Sequence, residues 1–153
     1  MKIISGGQTG VDRAALDVAR ELGLPHGGHV PKGRWTEEGP LSSEYSGMIE
    51  TEGRHPAART KQNVRSADAT LIFVHGECEG GTLLTLRKAR DWGKPHLVID
   101  LACTSAAEAI AAIREWLAAN APKTLNIAGP RASKNPGIYA EAKAILLVAL
   151  RRD

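Results

Sequence analysis

Apolar positions along the chain recur with two periods, and those periods place the elements. Residues 2–5 form a short apolar run that reads as a strand. A helix is predicted over 11–22, because Val11, Ala14, Ala15, Val18, Ala19 and Leu22 fall on one face, and Gly23 ends it. Residues 69–74 are too continuously apolar to have a wet face, as expected of a parallel strand covered on both sides, and 96–101 are similar. Residues 124–128 make a further strand. Amphipathic helices are predicted over 83–92, 106–119 and 136–150, and another over 57–67. In that last one Ala57, Thr60, Val64 and Ala67 point inward, while Arg59, Lys61 and Arg65 point mostly outward.

Boundary residues support this alternation. Ser105 with Glu108 spells a capping box, and Asn135 before Pro136 reads as an N-cap followed by a first-turn proline. Gly93 and Pro95 close the middle helix. Residues 25–56 break the rhythm, with few apolar groups, several turn formers and one short strand expected at 28–30; long loops in compact domains are usually functional. No repeat, linker or low-complexity segment divides the chain, so one domain over 1–153 is expected. Strands alternating with helices imply right-handed crossovers. The class is α/β: a single Rossmann-like, three-layer domain with a mostly parallel sheet of about five strands and helices on both faces.

Composition narrows the partners. The chain has 153 residues, enough for one core, and its 42% apolar and 24% charged content excludes a disordered or fibrous protein. With one Phe, two Tyr and three Trp, the core must be closely packed Ala, Leu, Ile and Val. A net charge of +3 suits a small anionic ligand and is too diffuse for nucleic acid. Cys78 and Cys103 show no CxxC spacing, which removes a disulfide framework and a zinc motif and makes a reducing cytoplasm the default location. A strand-like Ile3-Ile4 follows Met1 almost at once, and no eighteen-residue apolar run occurs, so neither export nor a membrane span is expected.

Three turns are placed to hold an anion. Ser5, Gly6, Gly7, Gln8, Thr9 and Gly10 lie between the first strand and first helix, where unpaired helix N–H groups carry partial positive charge. Thr9 adds a hydroxyl, and Arg13 supplies a charge-assisted bond if it turns toward the loop. These glycines spell neither GxGxxG nor a P-loop, and a tight turn needing glycine only for backbone geometry is the competing reading. Gly80 and Gly81 follow the 69–74 strand, with Thr82 placed to cap the next helix. Gly129, Pro130, Arg131, Ala132 and Ser133 follow the last strand, where Arg131, Ser133 and Lys134 can reach an anion; a turn with solvent-facing cations explains them equally. In a sheet whose connections reverse direction beside its first strand, such loops meet at the switch point.

The segments SGGQTGVDRAALDVA, HGGHVPKGR, EGGTLLTLRKA and LNIAGPRASKNPGIY, in that order, resemble the molybdenum carrier family over nearly the whole chain. That family is similar to the SLOG group of Rossmann-like folds, which includes the Lonely Guy phosphoribohydrolases, and the resemblance implies a nucleotide-like ligand. The family's name implies the molybdenum cofactor, a pterin with a phosphate. The resemblance marks Gly6, Gly7, Gln8, Thr9, Gly10, Asp12 and Arg13 as the first ligand loop, and Lys32 and Gly33 as a flap. It marks Gly80, Gly81 and Thr82 as the second loop, and Gly129, Pro130 and Arg131 with Ser133 as the third. One departure is informative. Phosphoribohydrolases of the Lonely Guy type carry PGGxGTxxE, and Thr85 stands where their glutamate would be; a threonine is no general base.

Other candidates have structural readings. Asp12 in a helix first turn favours the dipole, with a bond to a ribose hydroxyl as the alternative. Glu37, Glu38 and Glu44 in the long loop are expected to be solvated rather than to swing over the site as replacement acids. Neither His26 with His29 nor His75 with Cys78 has a diagnostic spacing, so no protein-held metal is expected; any molybdenum would arrive chelated by its pterin. Trp35 is placed either to stack on a ligand ring or to pack on the protein, and Trp92 and Trp116 read as core or interface. These readings lead to a binding protein that holds a phosphorylated ligand, with the 32–52 loop as lid and no bond broken. A hydrolase of nucleotide derivatives is the alternative, and a homo-oligomer, dimer or tetramer, is expected.

Overall fold

The computed structural model describes residues 1–152. In chain order the elements are β1 (Lys2–Ile4), α1 (Val11–Glu21), β2 (His26–Val30), β3 (Trp35–Thr36), β4 (Gly39–Pro40), β5 (Met48–Glu50) and α2 (Pro56–Ser66). β6 (Ala69–Val74), α3 (Gly80–Asp91), β7 (His96–Asp100), α4 (Ala106–Asn120), β8 (Thr124–Ala128) and α5 (Ile138–Ala149) complete it. Six strands form one sheet in the order β5-β2-β1-β8-β6-β7, and every neighbouring pair is parallel. The chain is thus a single α/β domain of the expected class, with one more strand than expected.

The extra strand lies in the segment read as one long loop. That segment holds β2, the antiparallel β3–β4 hairpin and β5, which adds to the sheet edge beside β2. The apolar pattern misses β5 because an edge strand need not be buried; Ile49 at its centre is 58% exposed.

Two unequal layers cover the sheet. Helices α1, α4 and α5 bury the larger cluster, in which Val11, Ala15 and Val18 of α1 meet Phe73 of β6, Ile127 of β8 and Ile145 of α5. On the opposite face α2 and α3 pack together over a smaller apolar set, with Ile72, Val74 and Leu86 clustered and Val64 and Ala89 also buried, beside the buried polar residues Thr60, Asn63, Thr70 and Asn126. Among the described residues, no helix is long and apolar enough to cross a membrane.

Most helix ends follow their signals. Ser105 caps α4, its Oγ accepting from Glu108 N at 3.1 Å and donating to Glu108 Oε1 at 2.9 Å. Two caps lie elsewhere than expected. Gly137, at φ 89°, precedes α5, while Asn135 and Pro136 sit in the turn before it. Helix α3 begins at Gly80 with Glu79 as N-cap, which places Thr82 inside the first turn rather than at the cap.

This topology positions the site. The chain leaves β1 through α1 toward β2 on one side, and leaves β6 through α3 toward β7 on the other. Between those diverging connections lies β8, so the C-terminal ends of β1, β8 and β6 open into one crevice.

Candidate ligand-binding cleft

The turn after β1 is buried and internally hydrogen-bonded. Residues Ser5 to Gly10 are all buried, and the Ser5 hydroxyl donates to Asp12 O at 2.8 Å while accepting from Gly7 N at 3.3 Å. Its glycines answer to protein neighbours. A Cβ on Gly10, at φ 79°, would lie 2.3 Å from Pro130 O, because the turn after β8 presses on this one. A Cβ on Gly6 would lie 2.3 Å from Arg59 Nη1. Arg13 does turn toward the loop, but to hold it: Nη2 donates to Gly7 O at 3.2 Å, and the guanidinium sits over the Tyr45 ring, 5.4 Å from its centroid.

The turn after β6 differs. The first turn of α3 leaves the N–H groups of Gly80, Gly81 and Thr82 without an acceptor, and the Glu79 side chain caps none of them. Nothing lies within 4 Å of a Cβ built on Gly80 or Gly81. Gly80 has a φ of 57° that favours glycine, whereas Gly81 has no positive φ. The Thr85 hydroxyl donates to Gly81 O at 3.0 Å, so this side chain serves the helix backbone.

These turns line a common cleft of about 270 Å³. The β1 turn contributes Gln8 and Asp12, α3 contributes Gly80, Gly81, Thr82 and Thr85, and the β8 turn contributes Gly129, Pro130, Arg131 and Lys134. Glu77 and Glu79 lie at its edge, and Trp35 of the hairpin with Pro56 and Arg59 of α2 form the remaining wall. Trp35 is 43% exposed, so its ring is available.

Asp12 and Arg59 form the cleft's buried ion pair, with Asp12 Oδ2 3.8 Å from Arg59 Nη1 and side-chain exposures of 4% and 14%. Burial raises the Asp12 pKa to about 6; Arg59, the Gln8 N–H at 3.3 Å and Arg13 act against that rise without cancelling it. Arg59 points inward, contrary to the outward placement expected of it. Charge on an amphipathic helix argues for solvent, and the space that Gly6 leaves for this guanidinium is not visible in a helical pattern.

Glu37 is the other correction. It was expected to be solvated, yet its Oε1 accepts from the Thr9 hydroxyl and from Ser133 N at 3.1 Å, and its Oε2 accepts from the Ser133 hydroxyl. Arg131 Nε lies 3.4 Å from Oε2. Burial opposes ionisation here, but the Ser133 and Thr9 hydroxyls, the Ser133 N–H and Arg131 together hold its pKa below the usual glutamate value. Glu38 and Glu44 are exposed, as expected.

Of the residues singled out in the sequence, Gln8, Asp12, Gly80, Gly81, Thr82, Gly129, Pro130 and Arg131 line the cleft. Outside the lining, Gly6 and Gly10 pack against Arg59 and Pro130, Gly7 packs against Leu41 and Val30 with its O accepting from Arg13, and Thr9 and Ser133 bond Glu37. Lys32 and Gly33 are exposed, away from the lining. Their N–H groups bond Gly53 O at 2.9 Å and Glu50 Oε1 at 2.7 Å, which fixes a turn beside β5. The hairpin, not that turn, reaches the cleft. Among the described residues no group of three or more His, Cys, Asp or Glu converges on a metal position.

Parallel strands with opposed crossovers and a crevice at their C-terminal ends define a Rossmann-like α/β domain. Residues 3–150 match the family described as the circularly permutated YpsA SLOG family. The crystal structure of "Putative molybdenum carrier protein" from Syntrophus aciditrophicus SB is similar, with a TM-score of 0.95 and 45% sequence identity over 98% of this chain and 94% of that one. No curated protein matches. The chain belongs to the circularly permutated YpsA SLOG family.

Proposed function

We propose that this chain is a binding protein for a small phosphate-bearing, nucleotide-like or pterin ligand. The phosphate is held by the free N–H groups of α3, with Arg131 and Lys134 as counter-charges, and the ring lies against Trp35. The observation that carries this reading is Gly81. Glycine in a helix costs up to ~1 kcal/mol relative to alanine, and neither a positive φ nor a neighbour requires one here. Close approach of an anion to the backbone gives it a reason.

The neighbour's name makes the molybdenum cofactor one candidate. The donor set fits its organic part, since backbone N–H groups and cations suit a phosphate and an exposed indole suits a fused ring. Such a cofactor brings its own sulfur ligands for the metal, so the protein supplies binding and orientation. Native mass spectrometry of the purified protein, before and after adding nucleoside phosphates, tests the proposal. A retained or added phosphate compound should appear and be weakened by Gly81→Ala. A protein that stays bare with every compound contradicts it.

Asp12 favours a second reading. A buried carboxyl with a pKa near 6, lining the cleft, is suited to exchange a proton with a bound hydroxyl or leaving group near neutral pH. A hydrolase using it would release product from a nucleotide derivative and lose that release in Asp12→Asn, whereas a carrier returns its ligand intact. A symmetric homo-oligomer belongs to the proposal too, supported by apolar side chains exposed on both sheet edges, Ile49 on β5 and Val98 on β7. Light scattering with and without ligand tests it.

A further inference from the structure

The seat that holds Glu37 is made of donors. The Thr9 Oγ1 atom accepts from Ala132 N at 3.1 Å, so its one proton is directed at the carboxylate. Ser133 offers both its N–H and its hydroxyl, and Arg131 adds positive charge from the same side. The donors come from the turns after β1 and β8, and the carboxylate comes from a two-stranded hairpin outside the main sheet. A carboxylate and a phosphate present the same kind of oxygen to such donors.

We propose that Thr9, Arg131 and Ser133 form an oxyanion subsite for a second negatively charged group of the ligand, a terminal phosphate or a carboxylate, and that Glu37 is its built-in occupant, expelled on binding. The subsite shares Arg131 with the seat at the first turn of α3 but takes its other donors, Thr9 and Ser133, from the turns after β1 and β8. The proposal depends on the binding reading above for the ligand's identity, and on its own contacts for the existence of the seat.

Displacement has a structural consequence. Gln8 Oε1 accepts from both Thr9 N and Glu37 N at 3.0 Å, which pins the hairpin tip to the β1 turn, and Trp35 at the hairpin's start is part of the cleft wall. Expelling the Glu37 side chain removes the bonds from Thr9, Ser133 and Arg131 and leaves the tip on Gln8 alone. The indole wall can then adjust to the bound ring. Glu37 therefore weakens the binding of any simple anion at this seat while keeping the cleft's donors paired in its absence.

Calorimetric titration of inorganic phosphate into the full chain and into Glu37→Ala tests this. Removing the competitor should tighten phosphate binding by about tenfold or more, and Ser133→Ala in the Glu37→Ala background should remove that gain. Should Glu37→Ala melt too low to titrate, Glu37→Gln keeps the shape and drops the charge, and should tighten binding in the same direction. Phosphate binding no tighter than in the parent chain, or a gain that survives Ser133→Ala, overturns the subsite. A gain in a protein that binds no nucleotide or pterin supports the seat and contradicts the ligand reading. Nucleotide binding with no such gain contradicts the seat alone.

Discussion

Single atoms decide what each glycine is for. At Gly10 an added methyl would meet Pro130 O and Ala132 N, which are backbone atoms that cannot swing aside, and φ is 79°. Gly10→Ala should therefore destabilise the fold by about 2–4 kcal/mol, from left-handed strain together with overpacking, and urea unfolding would measure it. At Gly81 the same change meets empty space. Gly81→Ala should raise stability by up to ~1 kcal/mol and weaken ligand binding, a pair of opposite signs that packing alone cannot produce. Asp12 adds a pH dependence. Its pKa rises on folding from 3.8 to about 6, so its stabilising contribution is complete below pH 3.8 and is lost as pH climbs through 6. That loss is on the order of 3 kcal/mol. Stability measured across that window should fall less steeply in Asp12→Asn than in the parent chain, whatever offset follows from leaving Arg59 without its partner.

At the scale of elements, the 25–56 segment is a built cover and not a slack loop. Arg34, itself at φ 56°, donates to Leu41 O at 3.0 Å and to Ser42 O and Tyr45 O at 2.8 Å. Tyr45 OH in turn donates to Asp17 Oδ1 at 2.6 Å, which anchors the cover on α1. Arg34→Ala frees those carbonyls together, so limited proteolysis should cut within 34–47 much faster while the parallel sheet stays intact. The cover was illegible in the sequence because charged-to-backbone bonds have no period and carry no apolar signature. The covered strand β6 is the opposite case, since it announces itself by a nearly continuous apolar run. Helix ends were legible where a side chain makes the cap, as Ser105 does, and were misplaced at Glu79 and Gly137, where no side chain caps. The site followed the same division. Strand order placed the β1, β6 and β8 turns in one cleft, whereas Arg59 reaches that cleft, and Glu37 the β1 and β8 turns, through tertiary contacts that no local pattern encodes.

The molecule as a whole is lopsided, and the cleft lies on the weaker side. Most of the large buried apolar side chains belong to the cluster under α1, α4 and α5, while α2 and α3 cover a smaller apolar set, Ile72, Val74 and Leu86 with Val64 and Ala89, mixed with buried polar residues. Regions with few buried apolar contacts open at lower free energy than the rest of a domain. Backbone amides of α2 and α3 should therefore exchange with deuterium well before those of α1 and α5. The cleft is walled by Pro56 and Arg59 of α2 and by Gly80, Gly81, Thr82 and Thr85 of α3, so a ligand bridging them adds contacts on the face with the smaller apolar cluster. Binding stabilises whatever must be closed for it to occur. Hydrogen exchange followed by mass spectrometry with saturating ligand should accordingly show strong slowing in α2, α3 and the 35–40 hairpin and almost none in α1 or α5. Equal slowing on both faces would mean that the ligand is held by the domain at large, and that the thin polar layer has no part in admitting it.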